Sequence, residues 1–284
     1  MNKLVLLLVS ALLAFSCCSQ QSSSSCKEQC NADGEQLCHA QCNADGQAHC
    51  NQQCNSDGQA HCSHQCNSDG QAHCSHRCNA EKADYLNSLK SQGLIDVMDS
   101  IPGLDVYLVY STPYNFMGRV LYKNLDRALL AEPAYKKLKR AQEILREKRM
   151  DLHFLIYDAV RPVSIQREMW KVVEGTNLED FVANPHKRKG GPHNFGIAVD
   201  LTLCDCAGNP LPMGSEYDYF GDRARVDKEE ELFKSGEITY RELKNRQLLR
   251  EIMVEAGWIV EPSEWWHFGA MTTKEASEKL PVIE

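Results

Sequence analysis

Cysteine is almost absent from the larger part of this chain. Of 14 cysteines in 284 residues, 12 precede residue 80, and only Cys204 and Cys206 follow it. A domain built from residues 80–284 therefore needs no disulfide framework. Its stability has to come from an ordinary apolar core, for which a content of 43% hydrophobic residues is sufficient.

Positive charge is also in short supply. The chain has 31 Lys and Arg residues against 39 Asp and Glu residues, which gives a formal net charge of -8. Because an acidic protein surface repels the phosphate backbone, nucleic acid is not an expected partner.

Long apolar runs are missing too, with one short exception at the N-terminus. Met1-Asn-Lys3 supplies positive charge, and residues 4–15 are apolar apart from Ser10. About a dozen residues are too few to span a bilayer, but they fit the apolar part of a signal peptide. We therefore predict that residues 1–18 are a signal segment and that the protein is exported.

The end of this segment indicates a lipid anchor. Ala14-Phe-Ser-Cys17 resembles the cleavage box of bacterial lipoproteins, which predicts lipidation of Cys17 and attachment to a membrane. Cys18 is a competing position, and an ordinary secretory signal is the alternative. The polar tether Ser19–Ser25 favours the lipoprotein, located in the periplasm or at the outer-membrane or cell surface.

A 12-residue repeat occupies residues 26–78, with units such as Cys54-Asn-Ser-Asp-Gly-Gln-Ala-His-Cys62. Large apolar residues are nearly missing here, so any order has to come from disulfides or metal ions. Clusters such as His61-Cys-Ser-His64-Gln-Cys66 offer ligands for a metal ion. The alternative, which we favour for an exported protein, is that residues 19–79 form a cross-linked or flexible stalk.

The remaining residues, 80–284, have the length of a single domain. The apolar run Leu152–Tyr157 predicts a buried strand, and the alternation over residues 197–203 predicts a second strand that carries Asp200. The other predicted elements are a strand over Val106–Tyr110, a helix over Pro133–Met150, a helix capped by Ser164, a helix opened by a capping box at Thr239, and a last strand containing Trp265, Trp266 and His267. This order predicts an α+β fold with an antiparallel-rich sheet and flanking helices.

Two distant segments of the domain contain residue types that bind metal ions. The first carries His193 and Asp200, and the second carries Glu264 and His267. Two imidazoles and a carboxylate leave a fourth position for water, and a spare carboxylate can act as a general base, as in catalytic zinc sites. Each residue alone could be an ordinary satisfied polar group, but only four histidines occur after residue 80 and two lie in these segments.

Convergence of these residues requires the chain to bend. His193 and Asp200 are seven residues apart and would face opposite sides of an unbroken strand. Asn194-Phe-Gly196 can provide the bend because glycine tolerates unusual backbone angles. Glu264 and His267 need a bulge or kink for the same reason.

These segments also carry a family resemblance. His193-x-x-Gly-x-Ala-x-Asp200, Glu264-Trp-Trp-His267 and Tyr157-Asp-Ala-Val-Arg161-Pro resemble the zinc D-alanyl-D-alanine dipeptidases of vancomycin resistance and their housekeeping relatives. The similarity extends from about Tyr107 to Phe268 and does not include the repeat. It implies hydrolysis of D-Ala-D-Ala, and a compact α+β fold shared with zinc carboxypeptidases that act on peptidoglycan.

The resemblance also implies a role for each site residue. One zinc ion would be bound by His193, Asp200 and His267, with Glu264 as the general base and Arg161 stabilising the oxyanion. Tyr110 and Asp218 would hold the free amino end of the dipeptide. Without the resemblance, Arg161 could instead pair with Asp158, Asp218 could serve a loop or cap, and Tyr110 could be an edge-strand aromatic residue.

Two departures from the family concern substrate selectivity. Gly191 stands where family members commonly have serine, and the segment between Arg161 and His193 is shorter than in the resistance enzymes. A D,D-carboxypeptidase or endopeptidase acting on longer peptidoglycan peptides is therefore an alternative. A non-catalytic metal- or wall-binding lipoprotein is a third possibility.

Overall fold

The structure is a computed structural model. It describes residues 47–48, 64–65, 76–187 and 190–284. Cys17 and nearly all of the cysteine repeat lie outside these residues, so their roles stay predictions. The chain divides into two compact units, Met1–Asp84 and Tyr85–Glu284.

The described part of the first unit is small. Strands β1 (Gln47–Ala48) and β2 (His64–Gln65) pair antiparallel. Helix α1 (His76–Ser91) begins in this unit and continues into the second.

The second unit combines short strands with helices. Its strands are β3 (Leu94–Asp96), β4 (Leu104–Val106), β5 (Leu129–Ala131), β6 (Leu152–Asp158), β7 (Ala198–Asp205), β8 (Ile259–Val260) and β9 (His267–Gly269). Its further helices are α2 (Val97–Ser100), α3 (Glu132–Lys148), α4 (Val163–Val173), α5 (Glu229–Ser235), α6 (Tyr240–Glu255) and α7 (Thr273–Lys279). Among the described residues, no helix is long and apolar enough to cross a membrane.

A five-stranded sheet in the order β4-β6-β7-β9-β8 forms the centre of this unit. Three of its pairings are antiparallel, and β4 pairs with β6 in parallel. The prediction of an α+β fold is confirmed, but the sheet is mixed. The parallel pair arises because the chain passes through β5 and α3 before returning as β6, the crossover that parallel strands require.

Helix α3 covers the sheet with the predicted apolar stripe. Ala134, Leu138, Ala141 and Leu145 are all fully buried, and the helix packs against β6 and α6. The capping box that was predicted to open α6 is present, with the Thr239 side chain accepting from the backbone N–H of Glu242.

Three predictions about where an element begins or ends are wrong. The strand expected over Val106–Tyr110 ends at Val106, and Val109–Ser111 is a 3₁₀ turn. Ser164 does not cap α4, because the cap position is Pro162. The last strand begins at His267, so the two tryptophans before it lie in a turn.

Candidate metal centre and substrate cavity

The first histidine lies on a tight turn. Pro192–Phe195 is a 3₁₀ turn that ends at Gly196, whose φ of 64° is left-handed. The bend predicted between His193 and Asp200 is therefore confirmed. A Cβ atom at Gly196 would lie 3.0 Å from the backbone nitrogen of Ala131, so glycine is required here on two grounds.

The carboxylate is placed by the sheet. Asp200 lies in β7, opposite Asp158 of β6 on one side and His267 of β9 on the other. This register places residues of three adjacent strands side by side at one end of the sheet. The remaining carboxylate, Glu264, reaches the site from the turn before β9, with its Oε2 atom 3.9 Å from Nδ1 of His267.

Three donor atoms converge at this end of the sheet. Nε2 of His193 lies 3.1 Å from Nδ1 of His267 and 3.3 Å from Oδ1 of Asp200, and the latter two atoms are 2.9 Å apart. The donors of a tetrahedral zinc site with bonds of about 2.0–2.1 Å are separated by roughly 3.3 Å. The predicted ligand set is brought together, and its spacing fits one such ion.

Neighbouring groups orient two of these donors. The Ala159 carbonyl lies 2.6 Å from Nδ1 of His193, which directs Nε2 toward the cluster. The hydroxyl of Tyr217 donates to Oδ2 of Asp200 over 3.0 Å, which leaves Oδ1 for a cation. Tyr217 was not predicted from the sequence, although it directly precedes the predicted substrate residue Asp218.

Arg161 is held beside the cluster by two side chains. Its Nε and Nη2 atoms donate to Oδ2 of Asp158 over 2.9 and 2.7 Å, and its Nη1 donates to Gln166 over 2.9 Å. The salt bridge to Asp158 is thus present, and Nη2 also lies 3.9 Å from Oδ2 of Asp200. Because Arg161 also lines the cavity described below, its ion pair and a catalytic contact are compatible.

Tyr110 and Asp218 form a pair at the same site. The Tyr110 hydroxyl donates to Oδ1 of Asp218 over 3.0 Å, while Oδ2 of Asp218 is buried without a hydrogen-bond partner. Asp218 has a φ of 60°, a strained conformation for a residue with a side chain. An unpaired buried carboxylate oxygen in a strained loop is suited to accept a hydrogen bond from a ligand.

The three clustered donors line one cavity of about 180 Å³, together with Glu264, Arg161, Tyr110 and Asp218. Three aromatic residues, which we call the aromatic wall, form part of its lining: Phe116, Phe181 and Phe220. The rings of Phe181 and Phe220 stack with centroids 5.2 Å apart, and Phe116 lies 5.1 Å from Phe220. Phe116 also lies edge-to-face against Tyr110, with ring centroids 6.3 Å apart, so the aromatic wall adjoins the Tyr110–Asp218 pair.

The cavity has an excess of negative charge. Its lining includes four carboxylates, which belong to Asp200, Asp218, Glu261 and Glu264, against the single guanidinium of Arg161. Burial raises the pKa of Glu264 well above its usual range, and the charges of its carboxylate neighbours raise it further. A divalent cation would offset this repulsion, so the charge balance and the donor spacing both fit a metal ion.

The absence of serine at position 191 has a steric cause. A Cβ atom at Gly191 would lie only 2.6 Å from the Cβ of Ala183. The Gly191 N–H also donates to Oδ1 of Asn194, which secures the turn that carries His193. A serine therefore cannot replace Gly191 unless the segment around Ala183 moves.

Comparison with known proteins agrees with this geometry. The model of the peptidase M15 family, described as D-Ala-D-Ala dipeptidase, matches residues 90–280. A D-alanyl-D-alanine dipeptidase of Escherichia coli (strain K12) is 31% identical over 62% of this chain and 83% of its own length. A D-alanyl-D-alanine dipeptidase of Synechocystis sp. is 27% identical over 55% of this chain and 74% of its own length. One of Enterococcus faecium is 30% identical over 31% of this chain and 41% of its own length.

Proposed function

This chain belongs to the D-Ala-D-Ala dipeptidase family of M15 metallopeptidases, and from that premise we propose that it uses one zinc ion to hydrolyse D-Ala-D-Ala to two molecules of D-alanine. The observation that carries the proposal is the convergence of the donor atoms of His193, Asp200 and His267 within a cavity that Glu264 also lines. An imidazole, carboxylate and imidazole set is typical of zinc sites that keep one position open.

In this mechanism Glu264 transfers the proton and Arg161 stabilises the negative charge that develops. A zinc ion held by His193, Asp200 and His267 would act as a Lewis acid and would lower the pKa of a water molecule at the site to about 7. Glu264 accepts the proton of the attacking water and later delivers it to the leaving amine. Arg161 donates to the carbonyl oxygen as negative charge develops on it, and Asp158 and Gln166 hold its guanidinium in place.

The amino end of the dipeptide would pair with Asp218. An ammonium group can donate to the buried Oδ2 atom of Asp218, while Tyr110 already occupies Oδ1. A cavity of about 180 Å³ is smaller than the roughly 300–1,000 Å³ of pockets for drug-sized ligands. The small volume and the aromatic wall support a dipeptide rather than a longer peptide as substrate.

Acylation of the substrate tests this proposal. We expect purified, zinc-loaded protein to hydrolyse D-Ala-D-Ala with a kcat/KM at least tenfold above that for N-acetyl-D-Ala-D-Ala, because acylation removes the ammonium group and adds atoms at the aromatic wall. Release of D-alanine measures both rates, with two molecules counted per turnover of D-Ala-D-Ala and one per turnover of the acetylated compound. A preference for the acetylated compound would instead identify a carboxypeptidase.

Shortening the aromatic wall should weaken this preference. In Phe220→Ala the side chain that contacts both Phe116 and Phe181 is removed, so the ratio of the two kcat/KM values should move toward one. Phe233→Ala is the matched control, because Phe233 lies in α5 and does not line the cavity. An unchanged ratio in Phe220→Ala would show that the wall does not exclude longer substrates.

The substitution Asp218→Asn tests the contact with the ammonium group. Loss of a charged hydrogen bond worth about 1.5–3 kcal/mol should raise KM for D-Ala-D-Ala by roughly tenfold or more, with a small change in kcat. Burial raises the pKa of Asp218 to about 7, so KM of the unaltered protein should also rise as the pH falls below 7. This acid dependence should be missing in Asp218→Asn, and its persistence would assign the titration to another group.

The same raised pKa predicts that ionisation of Asp218 destabilises the folded protein as the pH rises. A carboxyl group with a raised folded-state pKa contributes stability below its unfolded pKa, near 4, and loses that contribution as the pH rises through 7. Asp218→Asn should therefore gain stability relative to the unaltered protein between pH 4 and pH 8. Urea unfolding of the substrate-free proteins at both pH values measures the difference, and a constant difference would contradict the shift.

We further propose that the enzyme acts in the cell envelope. The signal-like residues 1–18 support export, Cys17 is the proposed site of lipidation, and residues 19–79 are the proposed stalk that precedes the catalytic domain at 80–284. An exported dipeptidase would serve peptidoglycan turnover or salvage. Fractionation of cells expressing Cys17→Ala tests the anchor, since that variant should leave the membrane fraction unless Cys18 carries the lipid.

A further inference from the structure

Residues 280–284 form a short segment next to the metal centre, and all but the first of them follow the residues 90–280 that match the family. Ile283 lies at its centre and is only 1% exposed, although both flanking residues are less buried. Its side chain belongs to the main apolar core. We call residues 280–284 the C-terminal strap.

The backbone of Ile283 bridges two segments of the site. Its N–H donates to the carbonyl of Asn194 over 2.8 Å, directly after the metal-binding His193. Its carbonyl accepts from the N–H of Val163 over 2.7 Å, two residues after Arg161. Val163 is the first residue of α4, and Pro162 provides no side-chain cap, so the strap satisfies one of the otherwise unpaired N–H groups of that helix.

The two bridged segments also bind each other. The N–H of Arg161 donates to the carbonyl of His193 over 3.1 Å, and the Asn194 side chain donates to the carbonyl of Arg161 over 2.7 Å. Together with Ile283 these bonds close a ring in which three chain segments are joined pairwise. Asn194 is fully buried, so water does not readily replace a bond lost from this ring.

We propose that Ile283 is a positioning residue of the metal centre, which fixes the turn carrying His193 relative to the segment carrying Arg161. The inference rests on the proposed zinc site but not on the identity of the substrate. His193 contributes its donor atom from a four-residue turn, and groups that orient a ligand typically affect metal affinity by about 10–100-fold. Loosening the strap therefore weakens zinc binding and, through Arg161, lowers kcat more than it raises KM.

The zinc affinity of an Ile283→Ala variant tests this role. Ile144→Ala is the matched control, since Ile144 is also a fully buried isoleucine but lies in α3 and does not line the cavity. Both variants should melt at a lower temperature. Competition with a chromophoric chelator should show zinc affinity reduced about tenfold or more in Ile283→Ala, and changed less than twofold in Ile144→Ala.

A shortened chain that ends at Leu280 provides a second measurement. We expect it to bind zinc more weakly than the full chain, and a synthetic peptide of sequence Leu-Pro-Val-Ile-Glu should restore the affinity when added in excess. Glu284→Ala, which removes only an exposed side chain 3.2 Å from Arg167, should behave as the full chain.

Two results would overturn the proposal. One is unchanged zinc affinity in folded Ile283→Ala, and the other is an equal loss of affinity in Ile283→Ala and Ile144→Ala, which would indicate general destabilisation. Zinc affinity is measured without substrate. Unaltered protein that binds zinc but does not cleave D-Ala-D-Ala would therefore contradict the proposed function and would not affect the proposed role of Ile283.

Discussion

Replacing Glu264 by glutamine is expected to reduce kcat for D-Ala-D-Ala by about 10³-fold while the protein still binds one zinc ion. General acid–base catalysis by one side chain contributes about 10²–10⁴-fold, and glutamine cannot accept the proton of the attacking water. Glu264 lies 3.9 Å from His267 but is not one of the three clustered donors, so its loss should not release the metal. Steady-state rates and metal content on the same preparation measure both effects.

A second carboxylate in the same cavity is the control for this result. Glu261 also lines the cavity, and its Oε1 atom accepts from the hydroxyl of Ser263 over 3.0 Å. Glu261→Gln removes the same charge from the same cavity, and its kcat should fall less than tenfold. Equal losses in both variants would show that negative charge in the cavity, not proton transfer by Glu264, supports the reaction.

Replacing Arg161 by lysine is expected to lower kcat by about 10²–10³-fold. This is the usual loss when one donor to a developing oxyanion is removed. Lysine keeps the positive charge beside Asp158, but it cannot present two donors to Asp158 and a third to Gln166 in one plane. The stability of the variant should therefore fall less than its activity, and thermal melting beside steady-state kinetics separates the two.

A surface arginine that also donates through two nitrogens to one aspartate shows what a purely structural arginine would do. Arg149 also donates through Nε and Nη2 to one aspartate, Asp151, over 2.8 and 2.7 Å, but both side chains are exposed. Arg149→Lys should leave kcat unchanged. If Arg161→Lys also retained its kcat, the guanidinium would serve only to neutralise Asp158.

The metal centre is the part of the molecule that the sequence predicts best. The residue types at His193, Asp200, His267 and Glu264 restrict the chemistry, and Gly196 marks where the chain must turn. Both kinds of information are local, because a ligand's identity and a glycine's freedom do not depend on the rest of the fold. The roles of Arg161, Tyr110 and Asp218 came from family resemblance, and the structure adds their positions around one cavity.

Features that depend on distant contacts could not be predicted. Val106–Tyr110 has the composition of a strand, yet the chain turns at Val109 because the carbonyl of Tyr110 accepts two N–H groups from residues 121 and 122. The start of α4 was misplaced for a similar reason, since its first N–H is satisfied by Ile283 at the other end of the domain. In both cases the deciding partner lies outside the segment whose composition was read.

The turn at Gly196 has a consequence for how this enzyme could acquire new substrates. Any side chain there would press on Leu94 and on the backbone of Ala131. The turn that places His193 beside Asp200 therefore tolerates little change in sequence. The aromatic wall comes from loops that contribute no donor atom to the metal. Laboratory evolution toward larger peptides should therefore accumulate its productive changes at Phe116, Phe181 and Phe220, and leave the metal ligands and the catalytic side chains unchanged.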